Sequence, residues 1–219
     1  MRDRNAPLTE GGVDMLDWEK MGGLLPAAVQ HSRSGRLLMI GYMNQEALDA
    51  TLSTGFVTFF SRSKQRRWQK GESSGNRLRL VSVHMDCDRD ALLVMADPDG
   101  PTCHLGTASC FGGQTEGPGW LVELSATISG RASSGDESSY TRALLDAGIE
   151  RIAQKIGEEG TEVALAAVTR DASGCAEEVA DLLYHLAVLM EAKGFGWADV
   201  VAILKQRHAA GARSSGASS

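Results

Sequence analysis

The sequence lacks an apolar run long enough to cross a membrane as a helix, which takes about 18 residues or more. The longest candidate, Val179 to Met190, is interrupted by Asp181 and His185. The stretch Met1 to Gly12 is charged and lacks the apolar segment of a secretory signal. A basic excess is missing as well: 22 Lys and Arg stand against 28 Asp and Glu, a net charge of −6. That balance argues against a dedicated nucleic-acid binder. Cysteine is scarce, with four residues in 219, and in a reducing compartment thiols are not expected to pair. These absences point to a cytoplasmic protein with neither nucleic acid nor membrane as a partner.

What is present suits a folded chain. Hydrophobic residues make up 42% and charged residues 23%, close to the globular average. Glycine is abundant, 25 of 219, which predicts several Gly-dependent turns. The length allows one large domain or two small ones. Residues 112–119 read Gly-Gly-Gln-Thr-Glu-Gly-Pro-Gly, a stretch that no regular element accommodates. We therefore place a linker at 112–118, between a domain at 1–111 and another at 119–208. The small, polar tail 209–219 reads as disordered, and Arg131 to Ser139 as a second loose stretch.

Before the linker the pattern is mostly strand. Leu24 to His31 and Arg36 to Met43 flank Ser32-Arg33-Ser34-Gly35 and read as a hairpin. Asn44 is placed to cap a short helix, Gln45 to Ser53, that stops at Gly55. Phe56 to Arg62, Arg77 to Asp88 and Ala91 to Ala96 read as further strands. After the linker the period becomes helical, with four apolar stripes. Leu121, Leu124 and Ile128 mark the first, and Ile149 to Ala167 the second. Val179 to Met190 marks the third, ending at Lys193-Gly194, and Val200, Val201 and Leu204 the fourth. The fold class is thus two domains, a β-rich α+β domain and an all-α bundle. Four helices in so short a bundle give a thin core, which predicts a partner chain.

Two constellations carry chemistry. Asp86-Cys87-Asp88-Arg89-Asp90 ends a strand, and in an extended segment its three carboxylates share one face with Cys87 on the other. The carboxylates suit Mg²⁺ and the thiolate suits Zn²⁺. Cys103 and Cys110 complete a set of three thiols. A structural zinc normally takes four protein ligands and a catalytic one three, so three cysteines favour catalysis. His104 is either a fourth ligand or a proton carrier. Arg62 to Lys70 holds five cations in nine residues and is followed by the small-residue loop Glu72 to Asn76, a reasonable phosphate cradle. In the helical half, Glu159 and Glu162, and then Glu178 and Asp181, form i, i+3 carboxylate pairs beside Glu158. Like charges at this spacing repel, and divalent cations between facing pairs remove the repulsion.

The words Tyr42-Met43-Asn44-Gln45-Glu46-Ala47-Leu48, Trp68 to Asn76, Asp86 to Asp90 and Cys103 to Phe111 occur in that order. Over roughly 17–111 the chain resembles the phosphoribosyl-AMP cyclohydrolases of histidine biosynthesis, with Ser73 where Thr is commoner. The resemblance implies zinc on Cys87, Cys103 and Cys110, and magnesium on Asp86, Asp88 and Asp90. It also implies a homodimer in which Cys87 completes its partner's zinc site. The implied reaction opens the adenine ring between N1 and C6, with hydroxide supplied by zinc at neutral pH. His104 would shuttle protons, and Arg62, Trp68, Lys70, Glu72, Ser73, Ser74, Gly75 and Asn76 would bind substrate.

Ser139-Tyr140-Thr141, Lys155 to Glu162 and Glu177 to His185 give residues 119–208 a resemblance to phosphoribosyl-ATP pyrophosphatases, relatives of the MazG-type bundles. This resemblance implies magnesium on Glu159, Glu162, Glu178 and Asp181, with Glu158 holding metal or water. Lys155 and Arg151 would neutralise charge developing on the phosphates. The expected function is a bifunctional hydrolase that releases pyrophosphate at the second domain and opens the purine at the first. Two other readings remain: a general nucleotide pyrophosphatase with a structural zinc module, and a zinc-stabilised binding protein.

Overall fold

The computed structural model describes residues 6–112, 117–134 and 138–215, with the backbone alone over 211–215. The chain forms two compact units, Met1–Gly119 and Trp120–Ser219. They meet beside the expected boundary, although 113–116 of the proposed linker lie outside the described residues. The first unit is strand-rich and the second helical, as the change of sequence period predicts.

In the first unit a 3-10 turn, Glu10–Met15, precedes strands β1 (Leu25–His31) and β2 (Leu37–Met43). They pair antiparallel as the predicted hairpin. Helix α1 (Gln45–Thr54) starts where Asn44 accepts the Ala47 N–H and ends at a left-handed Gly55, so both expected caps are in place. Such an N-cap contributes about 1 kcal/mol. Strands β3 (Thr58–Ser61) and β4 (Arg66–Gln69) make a separate two-stranded ribbon. The cation-rich sequence had hidden β4. Strands β5 (Leu78–Met85) and β6 (Leu92–Pro98) complete a four-stranded sheet of order β2-β1-β6-β5, in which only β1 and β6 run parallel.

Alternation puts Leu25, Ala27 and Val29 of β1, and Leu92, Val94 and Ala96 of β6, on one buried face. Leu48 of α1, Phe59 of β3 and Leu78 and Val83 of β5 pack into the same core. Each fully buried Leu, Val or Phe contributes about 1.5–3 kcal/mol relative to exposure.

Among the described residues the second unit holds five helices where the pattern predicts four: α2 (Trp120–Ser133), α3 (Tyr140–Asp146), α4 (Ile149–Thr169), α5 (Ala172–Lys193) and α6 (Trp197–Ser215). Helix α2 takes in Arg131 to Ser133, the start of the stretch read as loose. Helix α3 is too short to show a period, but Ser139 caps it by accepting the Arg142 N–H. Helix α5 begins on an Asp171 cap and stops at Gly194, as expected. Part of the expected tail is helical: α6 runs on through Ser215, a stretch with alanines and no proline, while 216–219 lie outside the described residues. The core is thin, as expected, and consists of Ile128, Leu144, Ile152, Ala187, Val188 and Met190. Val200 packs against it, whereas Val201 and Leu204 of the same expected stripe are exposed.

Candidate functional site

The first unit carries three groups of interest. Asp86 to Asp90 forms the turn between β5 and β6 rather than the end of an extended strand, and Arg89 takes a positive φ of 66°. Alternating faces therefore do not operate here. The carboxylates still converge, because a turn between adjacent antiparallel strands folds the segment back on itself. Asp86 Oδ1 accepts the Asp90 and Ala91 N–H groups at 3.0 and 3.2 Å. Oxygens of Asp86, Asp88 and Asp90 lie within 4.8 Å of one another, a donor set of hard oxygens suited to Mg²⁺. Lys20 sits against this set, its Nζ 2.5 Å from Asp88 and 2.6 Å from Asp90. Its hydrogen bond holds the Asp88 carboxyl below the usual range. Lys20 lies 68 residues from Asp88, and no local motif points to it.

Cys103 and Cys110 come together on one loop. The Cys110 N–H donates to the Leu38 carbonyl of β2 at 2.8 Å, and the Cys103 N–H to the Thr107 carbonyl at 3.0 Å. The Ser109 hydroxyl donates to the Leu37 carbonyl at 2.7 Å. The backbone N–H of Leu105, then the Thr107 hydroxyl and the Cys110 thiol, favour the Cys103 thiolate. Burial, then the charge of Cys103, pushes the Cys110 thiol up. His104 is exposed, with Nδ1 3.9 Å from the Cys103 sulfur. Cys87 is exposed on the β5–β6 turn beside Asp88. Among the described residues Cys87 does not join Cys103 and Cys110 in a group of three ligands within the chain. Only carboxylate groups there bring three possible ligands together. Two adjacent thiols, one disposed to ionise, still fit a zinc ion that draws a third ligand from elsewhere.

The basic hairpin and the loop after it line a cleft of about 320 Å³ that includes Lys64, Arg66, Trp68, Lys70, Glu72 and Ser74. The ring of Trp68 rests on Phe59, centroids 5.3 Å apart. The Arg62 guanidinium stands 3.8 Å over the Tyr42 ring, outside the residues that line the cleft. Glu72 takes Arg66 at 2.7 Å and the Gln69 N–H at 3.2 Å, and Arg66 holds its carboxyl below the usual range. Gly71 and Gly75 have positive φ, which lets the loop double back on Asn76. Sequence reasoning missed Arg66 as the clamp on Glu72. The signal was there, a cation six residues before a carboxylate that opens the predicted loop.

In the second unit, α4 and α5 are joined by Arg170 and Asp171 and pack antiparallel. Oxygens of Glu159, Glu178 and Asp181 lie within 4.8 Å of one another. Three of the four predicted carboxylates thus meet at one place, Glu159 and Glu178 being buried. Glu162, exposed on the same helix as Glu159, has its carboxyl pushed up by the negative charge of Glu159 first, then by burial and Glu178. Lys155 reaches Glu158 and Glu159, each at 2.9 Å, and Arg170 reaches Glu178 at 2.5 Å. Arg170 was not anticipated. Glu158 faces Lys155 and Gln154, at the edge of the cluster, and Arg151 is exposed. His185, 5% exposed, places Nδ1 2.9 Å from the Asp181 carbonyl and 3.7 Å from Glu159. Buried carboxylates facing one another across two helices fit divalent cations, which would offset their repulsion.

Residues 39–112 match the family model of phosphoribosyl-AMP cyclohydrolase, and residues 121–208 that of phosphoribosyl-ATP pyrophosphohydrolase. The chain is 53% identical over 201 residues to the histidine biosynthesis bifunctional protein HisIE of Escherichia coli K12, covering 92% of this chain and 99% of that one. It is 55% identical over 196 residues to the HisIE protein of Xanthomonas campestris, covering 90% and 94%. With the protein of the same name from Yersinia pestis it shares 50% over 201 residues, covering 92% and 98%.

Proposed function

The chain belongs to the HisIE family of bifunctional histidine-biosynthesis hydrolases, and from that premise we propose which residues carry each of its two reactions. The pyrophosphohydrolase reaction runs at Glu159, Glu162, Glu178 and Asp181, and the cyclohydrolase reaction at Cys103, Cys110 and the basic cleft. The observation that carries this reading is the convergence of Glu159, Glu178 and Asp181 on α4 and α5, inside the segment that matches the pyrophosphohydrolase model.

At the helical site, magnesium would neutralise the triphosphate and polarise its oxygens. The carboxylates hold the cations, and Glu158, at the edge of the cluster, positions the attacking water. Lys155, on the same helix, offsets the charge that builds on the leaving pyrophosphate. At the first site, zinc on the thiols would lower the pKa of water toward ~7. His104, exposed beside Cys103, delivers a proton to N1 as the N1–C6 bond breaks. Lys64 and Lys70, with Ser73 and Ser74, hold the phosphates. Asp86, Asp88 and Asp90 would hold magnesium.

The protein acts as a homodimer in which Cys87 serves the partner's zinc. Two features support this. Cys103 and Cys110 adjoin each other without Cys87, and the helical unit exposes Leu165, Val168, Ile203 and Leu204 around a thin core. A reducing cytoplasm suits the four free thiols.

The test supplies phosphoribosyl-ATP, zinc and magnesium, and follows pyrophosphate and purine absorbance together. Cys103→Ser should abolish ring opening alone, and Glu159→Gln pyrophosphate release alone. Loss of both from either change, or hydrolysis of ordinary nucleoside triphosphates with no absorbance change, contradicts the assignment.

A further inference from the structure

Tyr140 belongs to neither the hydrophobic core nor the carboxylate cluster, yet it touches a residue that lies against the cluster. It opens α3 directly after its N-cap and is 55% exposed. Its hydroxyl lies 3.2 Å from Nε2 of the buried His185. The other nitrogen of that ring, Nδ1, faces the Asp181 carbonyl, and a carbonyl only accepts. Nδ1 therefore carries the proton, and Nε2 accepts from the Tyr140 hydroxyl. Tyr184 stands beside the ring, centroids 6.2 Å apart and planes inclined at 25°.

An exposed aromatic ring ordinarily keeps its rotamer freedom. This one is tethered at its far end, so a half-open π-surface is held still against His185, which itself lies against Glu159 and the Asp181 carbonyl. Ordering an exposed side chain costs conformational entropy, and a ligand that uses the ring gives that cost a purpose. The carboxylates and their cations grip only the phosphate end of a nucleotide. The base needs a flat, apolar contact. Among the described residues Trp120 and Phe195 are other exposed aromatics of this unit. Trp120 opens α2 and Phe195 lies past the end of α5, and neither has a ring contact to His185.

We propose that Tyr140 is the base-stacking platform of the pyrophosphohydrolase site, its open face taking the purine of the nucleotide whose triphosphate lies at Glu159, Glu178 and Asp181. The proposal rests on the assignment of that cluster to pyrophosphate release. It also accounts for discrimination. A purine that carries a ribosyl group on N1 has cationic character, and an electron-rich phenol face favours it over an unsubstituted purine.

The test uses the full-length protein and pyrophosphate release, with inorganic tripolyphosphate as a competitor that has no base. Tyr140→Ala should raise KM for phosphoribosyl-ATP about 5- to 100-fold, the range of aromatic–base stacking, with kcat and the tripolyphosphate inhibition constant unchanged. Tyr140→Phe keeps the ring but loses its tether to His185, so KM should rise by less than in Tyr140→Ala. Parallel increases in KM and the tripolyphosphate constant would overturn the proposal, because Tyr140 would then act through His185 on the carboxylates. An unchanged KM in Tyr140→Ala would overturn it too, as would a changed oligomeric state with no selective effect on the nucleotide. A wild-type chain that releases no pyrophosphate would remove the cluster's assignment, and the platform with it, before any variant is made.

Discussion

Replacing Gly71 by Ala tests whether the basic cleft depends on one close backbone approach. Gly71 has a φ of 85°, and a Cβ there would stand 2.4 Å from the Asn76 carbonyl oxygen, 2.5 Å from its carbon and 2.6 Å from the Arg77 nitrogen. All three are backbone atoms, so no rotamer change relieves the clash. A left-handed residue with a side chain costs about 1–2 kcal/mol. Overpacking adds about 1–3 kcal/mol, and the sum is about 2–5 kcal/mol. Gly75 supplies the control. Its φ is 78°, but nothing lies within 4 Å of an added Cβ, so Gly75→Ala should cost only about 1–2 kcal/mol. The gain from a stiffer unfolded chain is common to both variants and cancels. With about 2–8 °C per kcal/mol across domains of about 60–250 residues, Gly71→Ala should melt at least roughly 2 °C below Gly75→Ala. The same loop lines the cleft, so Gly71→Ala should also raise KM for phosphoribosyl-AMP and leave pyrophosphate release untouched. Equal melting temperatures together with an unchanged KM would refute the reasoning, because the loop would then yield freely.

Other consequences follow from single contacts. Lys20→Met removes the ammonium that sits on Asp88 and Asp90, so calorimetric titration should show Mn²⁺ or Mg²⁺ binding the first unit more tightly; weaker binding would make Lys20 a support of the site. Ile152 is fully buried in the helical core, so Ile152→Ala should cost about 2–5 kcal/mol and lose pyrophosphate release on heating before ring opening is affected; simultaneous loss would argue against two independent units. The Glu72 carboxyl is held low by Arg66. A lowered carboxyl contributes stability above the unfolded carboxylate range and loses it as pH falls through the folded value. The melting difference between wild type and Arg66→Met should therefore be flat near neutrality and shrink below about pH 4, and a difference that widens on acidification would contradict the pairing.

What was legible in the sequence were signals that act within a few residues. Asn44 and Gly55 bracket α1 because a cap needs only its own turn, and Gly194 ends α5 for the same reason. Helix α3 was hidden because seven residues show no period, and β4 because cations masked its pairing with β3. Lys20 and Arg170 were hidden because their carboxylate partners are chosen by the fold.

The same distinction separates the two kinds of donor cluster. Each carboxylate pair on α4 and α5 is ordered by helical spacing alone, and one short connection at Arg170 and Asp171 then forces the two pairs to face each other. Asp86 to Asp90 converges for an equally local reason, since antiparallel β5 and β6 must be joined by a turn whatever its residues do; the expectation of an extended segment failed without disturbing the outcome. The thiols have no such constraint. Cys103 and Cys110 share a loop pinned to β2 by Ser109 and Cys110, whereas Cys87 rides on the β5–β6 turn and no element of its own chain carries it to them. Closeness in sequence is therefore a sound guide to a metal site when one hairpin or one helix pair closes it. It is a poor guide when the residues lie on elements that no single turn or helix pair joins.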